Sequence, residues 1–598
     1  MALKNFFRQL EYLYTTSLEL IHEFGIKYFL RFGIAQIKNQ KLDLLKSKTD
    51  LESITMPEKI LDKKTQYELW NKNQKLISSI DVDSLTLKPK VCFVMVITKS
   101  ITTLLIKNSI KSLLDQSYGA WELLIVATKD TYELVNNLII SESYNEQNIK
   151  IQLIENVDTS LTPQLSLPPS SDFVGFLTPE TTLIPECLDY FIRELNNFPD
   201  SDLLYSDEER IPENNSNHLP FFKPKWSPYL FLNLNYIGNL FFIRKTFFLD
   251  FGKISNFDDD LLFNLFHMCS EHTNNIHHVS QILFSSSEID YHKHKHSKII
   301  LELLKRKNIP SKIQENFDDG NYKIDFNLND EPKVCIIIPT KNNKFLLSKC
   351  IRSLEYNTNY KNFEIIIVDN NSQDNETKLY LASLPYTVLN YDGKFNFSKI
   401  NNLAVSKSSG EYLLFLNDDT EALSPNWLHE MVSVCQQKDV GAVGAKLLYS
   451  NDTIQHAGMV FLKNGFFFHP FHKKPSKSKE EFNLINTLRE CSSVTGACLL
   501  TKREIFENIG GFDEIFDVYY GDSDLCFTLR KLGYSVIFTP YARLRHDGSS
   551  TIRKQSKIFI PIENFYDFVS KWPNVKNGDP YYNPNFSYDY SLDISDQT

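Results

Sequence analysis

Two tandem α/β units, preceded by a helical region, are the architecture that this 598-residue sequence predicts, and three observations predict it. An opening phrase is written twice, as Lys90-Val91-Cys92-Phe93-Val94-Met95-Val96-Ile97-Thr98-Lys99 and as Lys333-Val334-Cys335-Ile336-Ile337-Ile338-Pro339-Thr340-Lys341. Each copy runs through a helix-like stretch into a second apolar strand, 121–127 ending in Ala127 and 363–369 ending in Asp369. On both sides of residue 300, short apolar strands alternate with helical segments, the pattern of layered α/β domains.

The remaining segments follow in order. Residues 1–87 carry Leu3, Phe6, Phe7, Leu10, Leu13, Tyr14, Ile21 and Phe24 at helical spacing. Within 1–48, eight Lys/Arg stand against four Asp/Glu, so this stretch suits either docking on the neighbouring domain or peripheral contact with an anionic membrane face. The first α/β unit covers 88–300. A connector follows at 301–332, with a charged helix and a hairpin turn at Asp318-Asp319-Gly320-Asn321. The second unit covers 333–557, and the aromatic, proline-bearing tail 558–598 is expected to pack back onto a domain.

Composition narrows the function. A net charge of -10 argues against nucleic acid as a partner, because phosphate binding needs concentrated Lys and Arg. Nine scattered cysteines without a CxxC pair fit buried thiols of a cytoplasmic protein. The sequence has no apolar run near the roughly 20 residues that cross a bilayer. The run Tyr291-His292-Lys293-His294-Lys295-His296 interleaves lysines that would repel a metal cation, so it reads as a solvated loop.

Ligands of open α/β sheets gather at the carboxyl ends of strands. Three groups in the second unit occupy such ends. Asp369 closes one strand and is followed by Asn370-Asn371-Ser372, short polar residues suited to a loop on a base or ribose, although a turn Asp would read the same. Asn417-Asp418-Asp419 follows the apolar 412–416, and paired carboxylates can hold a divalent ion against a diphosphate. Asp522-Ser523-Asp524 precedes a helix at 527–532, where a carboxylate can cap the helix or take a proton from a hydroxyl. His546 adds an imidazole that can ligate a metal.

Taken in order, Ile338-Pro339-Thr340-Lys341-Asn342, Ile367-Val368-Asp369-Asn370, Leu416-Asn417-Asp418-Asp419-Thr420, Thr495-Gly496-Ala497-Cys498, Gly510-Gly511-Phe512-Asp513 and Asp522-Ser523-Asp524-Leu525 resemble the family 2 glycosyltransferases. Tyr391-Asp392-Gly393, Gln455-His456-Ala457-Gly458 and the tail 580–585 narrow the resemblance to two-domain bacterial enzymes of O-antigen and other surface-polysaccharide assembly. The resemblance implies two GT-A domains, the Rossmann-like fold of nucleotide-diphospho-sugar transferases. It also implies inverting transfer from a nucleotide-sugar donor to a saccharide or lipid-linked acceptor, with Mg2+ or Mn2+. By residue, it implies Asp522 as catalytic base. Pro339, Thr340, Asn342, Asp369, Asn402 and Asp418 fall on the donor side, Asp419 and His546 at the metal, and Thr495, Gly496 and Asp524 on the acceptor side. Gly521 stands where many relatives carry Glu.

The first unit serves as an internal control. Ala127 falls opposite Asp369, and Thr178-Pro179-Glu180 opposite Asn417-Asp418-Asp419. The histidine position falls near Ser285, while Asp258-Asp259-Asp260 corresponds to the late acid. The expectation is one active domain beside a degenerate relative. A polymerase with both domains active and a carbohydrate-binding scaffold are the alternatives.

Overall fold

The structure, a computed structural model, describes residues 63–74, 82–97, 101–142, 144, 148–154, 165–211, 218–251, 260–287, 296–317, 321–328, 330–463, 465–547, 562–588 and 591–592. The basic segment 1–48, the lysine–histidine run at 291–295, the hairpin turn 318–320, and Asp258 and Asp259 lie outside the described residues. Of the N-terminal region, the helix Lys63–Gln74 is described, and it buries Tyr67 and Trp70 against Phe222 of the first unit. Among the described residues, no helix is long and apolar enough to cross a membrane.

The first unit contributes β1 (Val91–Ile97), β2 (Trp121–Thr128), β3 (Ile149–Ile154), β4 (Phe173–Leu177), β5 (Thr182–Leu183), β6 (Leu203–Ile211), β7 (Leu219–Phe221), β8 (Leu240–Arg244) and β9 (Ile276–Ser287). The helix Ser297–Arg306 runs across the expected boundary at 300 into a hairpin, β10 (Ser311–Phe317) and β11 (Asn321–Phe326). The second unit contributes β12 (Val334–Thr340), β13 (Phe363–Asp369), β14 (Thr387–Asn390), β15 (Tyr412–Leu416), β16 (Thr420–Ala422), β17 (Val440–Leu448), β18 (Ile454–His456), β19 (Val460–Phe461), β20 (Phe467–Phe468), β21 (Arg489–Glu490), β22 (Cys498–Lys502) and β23 (Ser535–His546).

The two main sheets have one topology. Their orders are β3-β2-β1-β4-β8-β6-β9-β5 and β14-β13-β12-β15-β22-β17-β23-β16, with parallel and antiparallel pairs at the same places. Central strands such as β1, β12 and β15 are buried along almost their whole length, as strands covered by helices on both faces must be.

Ladder registers put the two copies on a common frame. Ile97 pairs Ala127 on the last rung of β1 with β2, and Thr340 pairs Asp369 on the last rung of β12 with β13. The Thr181 amide donates to the Thr178 carbonyl as the Thr420 amide donates to that of Asn417, so Pro179 and Glu180 stand where Asp418 and Asp419 do. Ile184 donates to Leu283 as Leu423 donates to Arg543. The position of His546 is therefore Ser286, one residue on from Ser285.

The units are joined by buried polar groups. The Glu490 carboxyl, on β21, accepts the backbone amides of Tyr229 (2.9 Å) and Leu230 (3.3 Å), capping the helix Pro228–Asn233 of the first unit, and also accepts the Ser227 hydroxyl. Tyr229 Oη donates to Asp439 at 2.9 Å, and the Phe221 and Phe482 rings lie 3.8 Å apart between centroids. From the tail, Asn583 Nδ2 donates to both oxygens of the fully buried Asp207 and to the Lys223 carbonyl.

Burial pushes the Glu490 carboxyl up to about 7. A folded pKa above the unfolded value means that stability falls as pH rises from about 4.5 to about 7. Differential scanning calorimetry should record this slope in the wild type and not in Glu490→Gln. Glu490→Ala, which strands two buried amides, should lower stability by about 2–4 kcal/mol. An unchanged melting profile in Glu490→Ala would count against the cap as the joint between units.

Candidate active site

The site forms where the carboxyl ends of β12, β13 and β15 meet the last residue of β23. Asp369, 8% exposed, ends β13 and accepts the Ser372 amide at 3.0 Å, which folds 370–372 into a tight loop. Asn342 and Asn371 hold left-handed backbone angles (φ 48° and 55°), a region that Asn tolerates better than most residues. Asn342 locks its loop to the neighbouring one, donating its amide to Ser372 Oγ and accepting the Gln373 and Asp374 amides on Oδ1. Beside Asp369, the Asn370 side chain is 1% exposed, and neither of its polar atoms has a partner among the described residues. A buried unpaired amide costs about 1–3 kcal/mol, so this group suits a polar ligand entering the loop.

The second group hangs from β15 and β23. Asp418 Oδ2 accepts the Thr340 hydroxyl (2.7 Å) and Asn343 Nδ2 (3.0 Å). Burial pushes the Asp418 carboxyl up to about 6, opposed by the Thr340 and Asn343 hydrogen bonds and reinforced by the adjacent Asp419. Antiparallel pairing of β16 with β23 sets Thr420 opposite His546, which brings His546 Nε2 to 3.2 Å from Asp419 Oδ1. Gln455 Oε1 lies 3.2 Å from His546 Nδ1 and Asn417 Nδ2 lies 3.4 Å from its Nε2. With a proton on Nδ1 donated to Gln455, the Nε2 lone pair faces Asp419. Asp419 and His546, a carboxylate and an imidazole nitrogen oriented from behind by the Gln455 amide, are a donor pair that fits Mg2+ or Mn2+, and Asp418 precedes Asp419 on the same turn.

The third group lies on the helix Gly521–Lys531. The sequence places Asp522 ahead of a helix starting at 527, but the helix begins at Gly521 after Tyr520, whose φ of 69° is left-handed. Asp522 and Asp524 are thus in the first turn, where the helix dipole favours negative charge. Asp522, partly exposed, accepts the Gly496 amide on Oδ2 and the Ser523 amide on Oδ1, both at 2.8 Å. Burial nevertheless pushes its carboxyl above the usual range, against those two amides. Gly496 is required by space, since a Cβ there would lie 2.8 Å from Phe397 Cζ. Thr495 Oγ1 accepts the Ala497 amide at 3.3 Å and Pro339 pairs Val368 within the ladder, so both act through backbone shape.

Two expected site residues are committed elsewhere. Asn402 exchanges hydrogen bonds with the Phe512 backbone, donating from Nδ2 at 2.9 Å and accepting on Oδ1 at 3.0 Å, so it braces the 510–513 loop rather than the donor pocket. Asp524, 3% exposed, accepts Lys571 Nζ (2.9 Å) and Trp572 Nε1 (2.8 Å), so it anchors the C-terminal helix Ile562–Lys571 rather than facing an acceptor. Gln455 and Asn343 went unassigned in the sequence. Gln455 sits inside a quoted phrase, but only the pairing of β17 with β18 and β23 reveals its role.

The first unit lacks most of this chemistry. Ala127 replaces Asp369, Ile97 replaces Thr340, Pro179 replaces Asp418 and Ser286 replaces His546. The surviving late acid was expected among 258–260. Asp260 instead precedes the helix Leu261–Ser270 as its N-cap residue and pairs with His296 at 3.1 Å. Counted ten residues back from each C-cap, Leu261 stands where Asp522 does.

Residues 335–510 match the family model described as glycosyl transferase family 2. The chain is 33% identical over 503 residues to the O-antigen biosynthesis protein RfbC of Myxococcus xanthus, covering 81% of this chain and 39% of that protein. It is 29% identical over 516 residues to the uncharacterized protein y4gI of Sinorhizobium fredii, covering 81% of this chain and 56% of that one. Over 188 residues it is 31% identical to the GalNAc(5)-diNAcBac-PP-undecaprenol beta-1,3-glucosyltransferase of Campylobacter jejuni, covering 30% of this chain and 57% of that enzyme. The chain therefore spans between about two fifths and three fifths of these relatives' lengths. Asp369, Asp418 and Asp419 fall within the matched residues, and the second unit carries a glycosyl transferase family 2 domain.

Proposed function

We propose that the second unit, 333–557, transfers a sugar with inversion from a nucleotide-sugar donor to a saccharide or lipid-linked saccharide acceptor in surface-polysaccharide assembly of the O-antigen type. The observation that carries this reading is the gathering of Asp369, the Asp418–Asp419–His546 group and Asp522 around one sheet rim. Asp369 and Asn370 contact the nucleobase and ribose. Asp419 and His546, with Asp418 alongside, are the residues that would hold Mg2+ or Mn2+, which when bound supplies Lewis-acid stabilisation of the diphosphate leaving group. Asp522 takes the proton of the acceptor hydroxyl as that oxygen attacks the anomeric carbon. The Gly496 and Ser523 amides fix the orientation of its carboxylate.

On this reading the first unit, 88–300, is a degenerate transferase domain, because Ala127, Pro179 and Ser286 remove the base and metal contacts. The same losses weigh against a polymerase with two active domains. Nine free, buried cysteines suit a reducing compartment, and we read the enzyme as cytoplasmic, with contact of 1–48 on the inner membrane face part of the same proposal.

Nucleotide release from UDP-, GDP- and dTDP-sugars with Mn2+ or Mg2+ tests the activity. At least one donor should be turned over by the wild type, and the Asp419→Ala, Asp522→Asn double variant should be inert. Turnover surviving in the double variant would overturn the site. Asp522→Asn alone should lower kcat by about 100-fold or more while leaving donor affinity within a few-fold. Because burial raises the Asp522 pKa, wild-type kcat should fall as pH drops through a limb above the ordinary carboxylate range. Asn370→Ala should raise donor KM and leave kcat nearly unchanged, as expected for a group that binds donor and transition state equally.

A further inference from the structure

A second cleft, of about 1120 Å³, opens between the first unit and the C-terminal segment, away from the rim that holds Asp369 and Asp419. Four cationic side chains line it: Arg193 from the first unit's helix Cys187–Asn197, Lys225 after β7, Lys463 from the β19–β20 hairpin and Lys576 from the C-terminal segment. Lys225, Lys463 and Lys576 are exposed and have no carboxylate within ion-pair distance among the described residues. A fifth cation, Lys223, is fully buried and answered by Glu208 at 3.3 Å, so it adds little to the field of the cleft. Of the acids, Glu194 faces Arg193 and Lys225, and Asp579 is buried with its oxygens on the Phe461 and Tyr581 amides.

Three exposed ammonium groups from three separate segments line one cleft on a chain of net charge -10, and Glu194 faces Lys225 among them. An anion in the cleft lowers the repulsion among these cations. Aromatic and amide side chains share the walls, including Phe461, Phe586 and Gln281, which suits a sugar beside the anion. The cleft is also coupled to the proposed base. Phe461 lines it and packs on Phe527 of the Asp522 helix at 5.3 Å between centroids, while Phe467 of the same hairpin lies 6.1 Å from Tyr520.

We propose that this cleft binds a diphosphate-bearing saccharide, with Lys225, Lys463 and Lys576 on the diphosphate. The source is either the diphosphate of a polyprenyl carrier or a free diphosphate. Reading the carrier as the acceptor of the second unit rests on the transferase proposal; anion binding at the cleft does not. Isothermal titration with inorganic pyrophosphate, in EDTA and on an Asp419→Ala background, separates the cleft from the metal-bearing rim and needs no turnover.

The Asp419→Ala chain should bind pyrophosphate in a salt-sensitive manner. Adding Lys225→Glu, Lys463→Glu and Lys576→Glu together should weaken binding by about tenfold or more, with the ligand-free melting temperature unchanged. The three separate Lys→Gln variants give the same test if the triple reversal does not fold, each weakening binding about two- to fivefold. Co-sedimentation with phosphatidylcholine vesicles carrying a polyprenyl diphosphate, but not with plain ones, assigns the carrier as the source. Pyrophosphate binding without such sedimentation assigns a free diphosphate. No pyrophosphate binding, or equal binding by the parent and all lysine variants, overturns the proposal.

Discussion

The pairing of β16 with β23 is the contact on which the site depends. Strands β12, β13 and β15 run parallel and end at one rim, which by itself brings Thr340, Asp369 and Asp418 together. His546 reaches that rim only because β23 runs on past β17 and closes against β16, setting His546 beside Thr420 and hence beside Asp419. A register slip of one residue would turn His546 to the opposite face of the strand. The first unit keeps the same pairing, Leu183 with Phe284, and carries serine at the equivalent position. The scaffold therefore survives without the ligand, and topology alone does not create the chemistry.

A second layer of contacts links the site to the rest of the chain. Asp522 belongs to a helix whose next acid, Asp524, is tied to Lys571 and Trp572, and that C-terminal helix packs Phe565 and Phe568 around Tyr520 and Phe527. Further on, Asp579 holds the hairpin at Phe461, and Asn583 enters the first unit to satisfy Asp207. The tail thus connects the helix of the proposed base to the core of the first unit. A change in the first unit around Asp207 is thereby connected, through packed side chains, to the helix that carries Asp522.

Much of this was legible in the residues. The doubled phrase located both central strands, and the ladder registers put Ala127 and Asp369 on the same rung, as counting from Tyr118 and Tyr360 does. The α/β class followed from strand–helix alternation. What escaped were contacts made by side chains toward backbone. Asn402 sits in a family phrase, but its amide matches the Phe512 backbone beside Gly511, whose φ is +77°. Asp524 looks like a site acid until Lys571, 47 residues on, is seen against it. The start of the helix at Gly521 was hidden because Tyr520 has a left-handed backbone angle that no local residue preference announces. The position of Ser286 was missed by one residue because insertions between the copies change the alignment offset from strand to strand.

The central claim is that one donor site, on the second unit, serves the whole chain. The most direct measurement is the stoichiometry of nucleotide-sugar binding to the full chain by isothermal titration with Mn2+, using whichever donor the enzyme turns over. The account predicts one site per chain, lost in Asp419→Ala and unaffected by Glu180→Ala in the first unit. Two sites per chain, or one site abolished by Glu180→Ala and retained in Asp419→Ala, would contradict it.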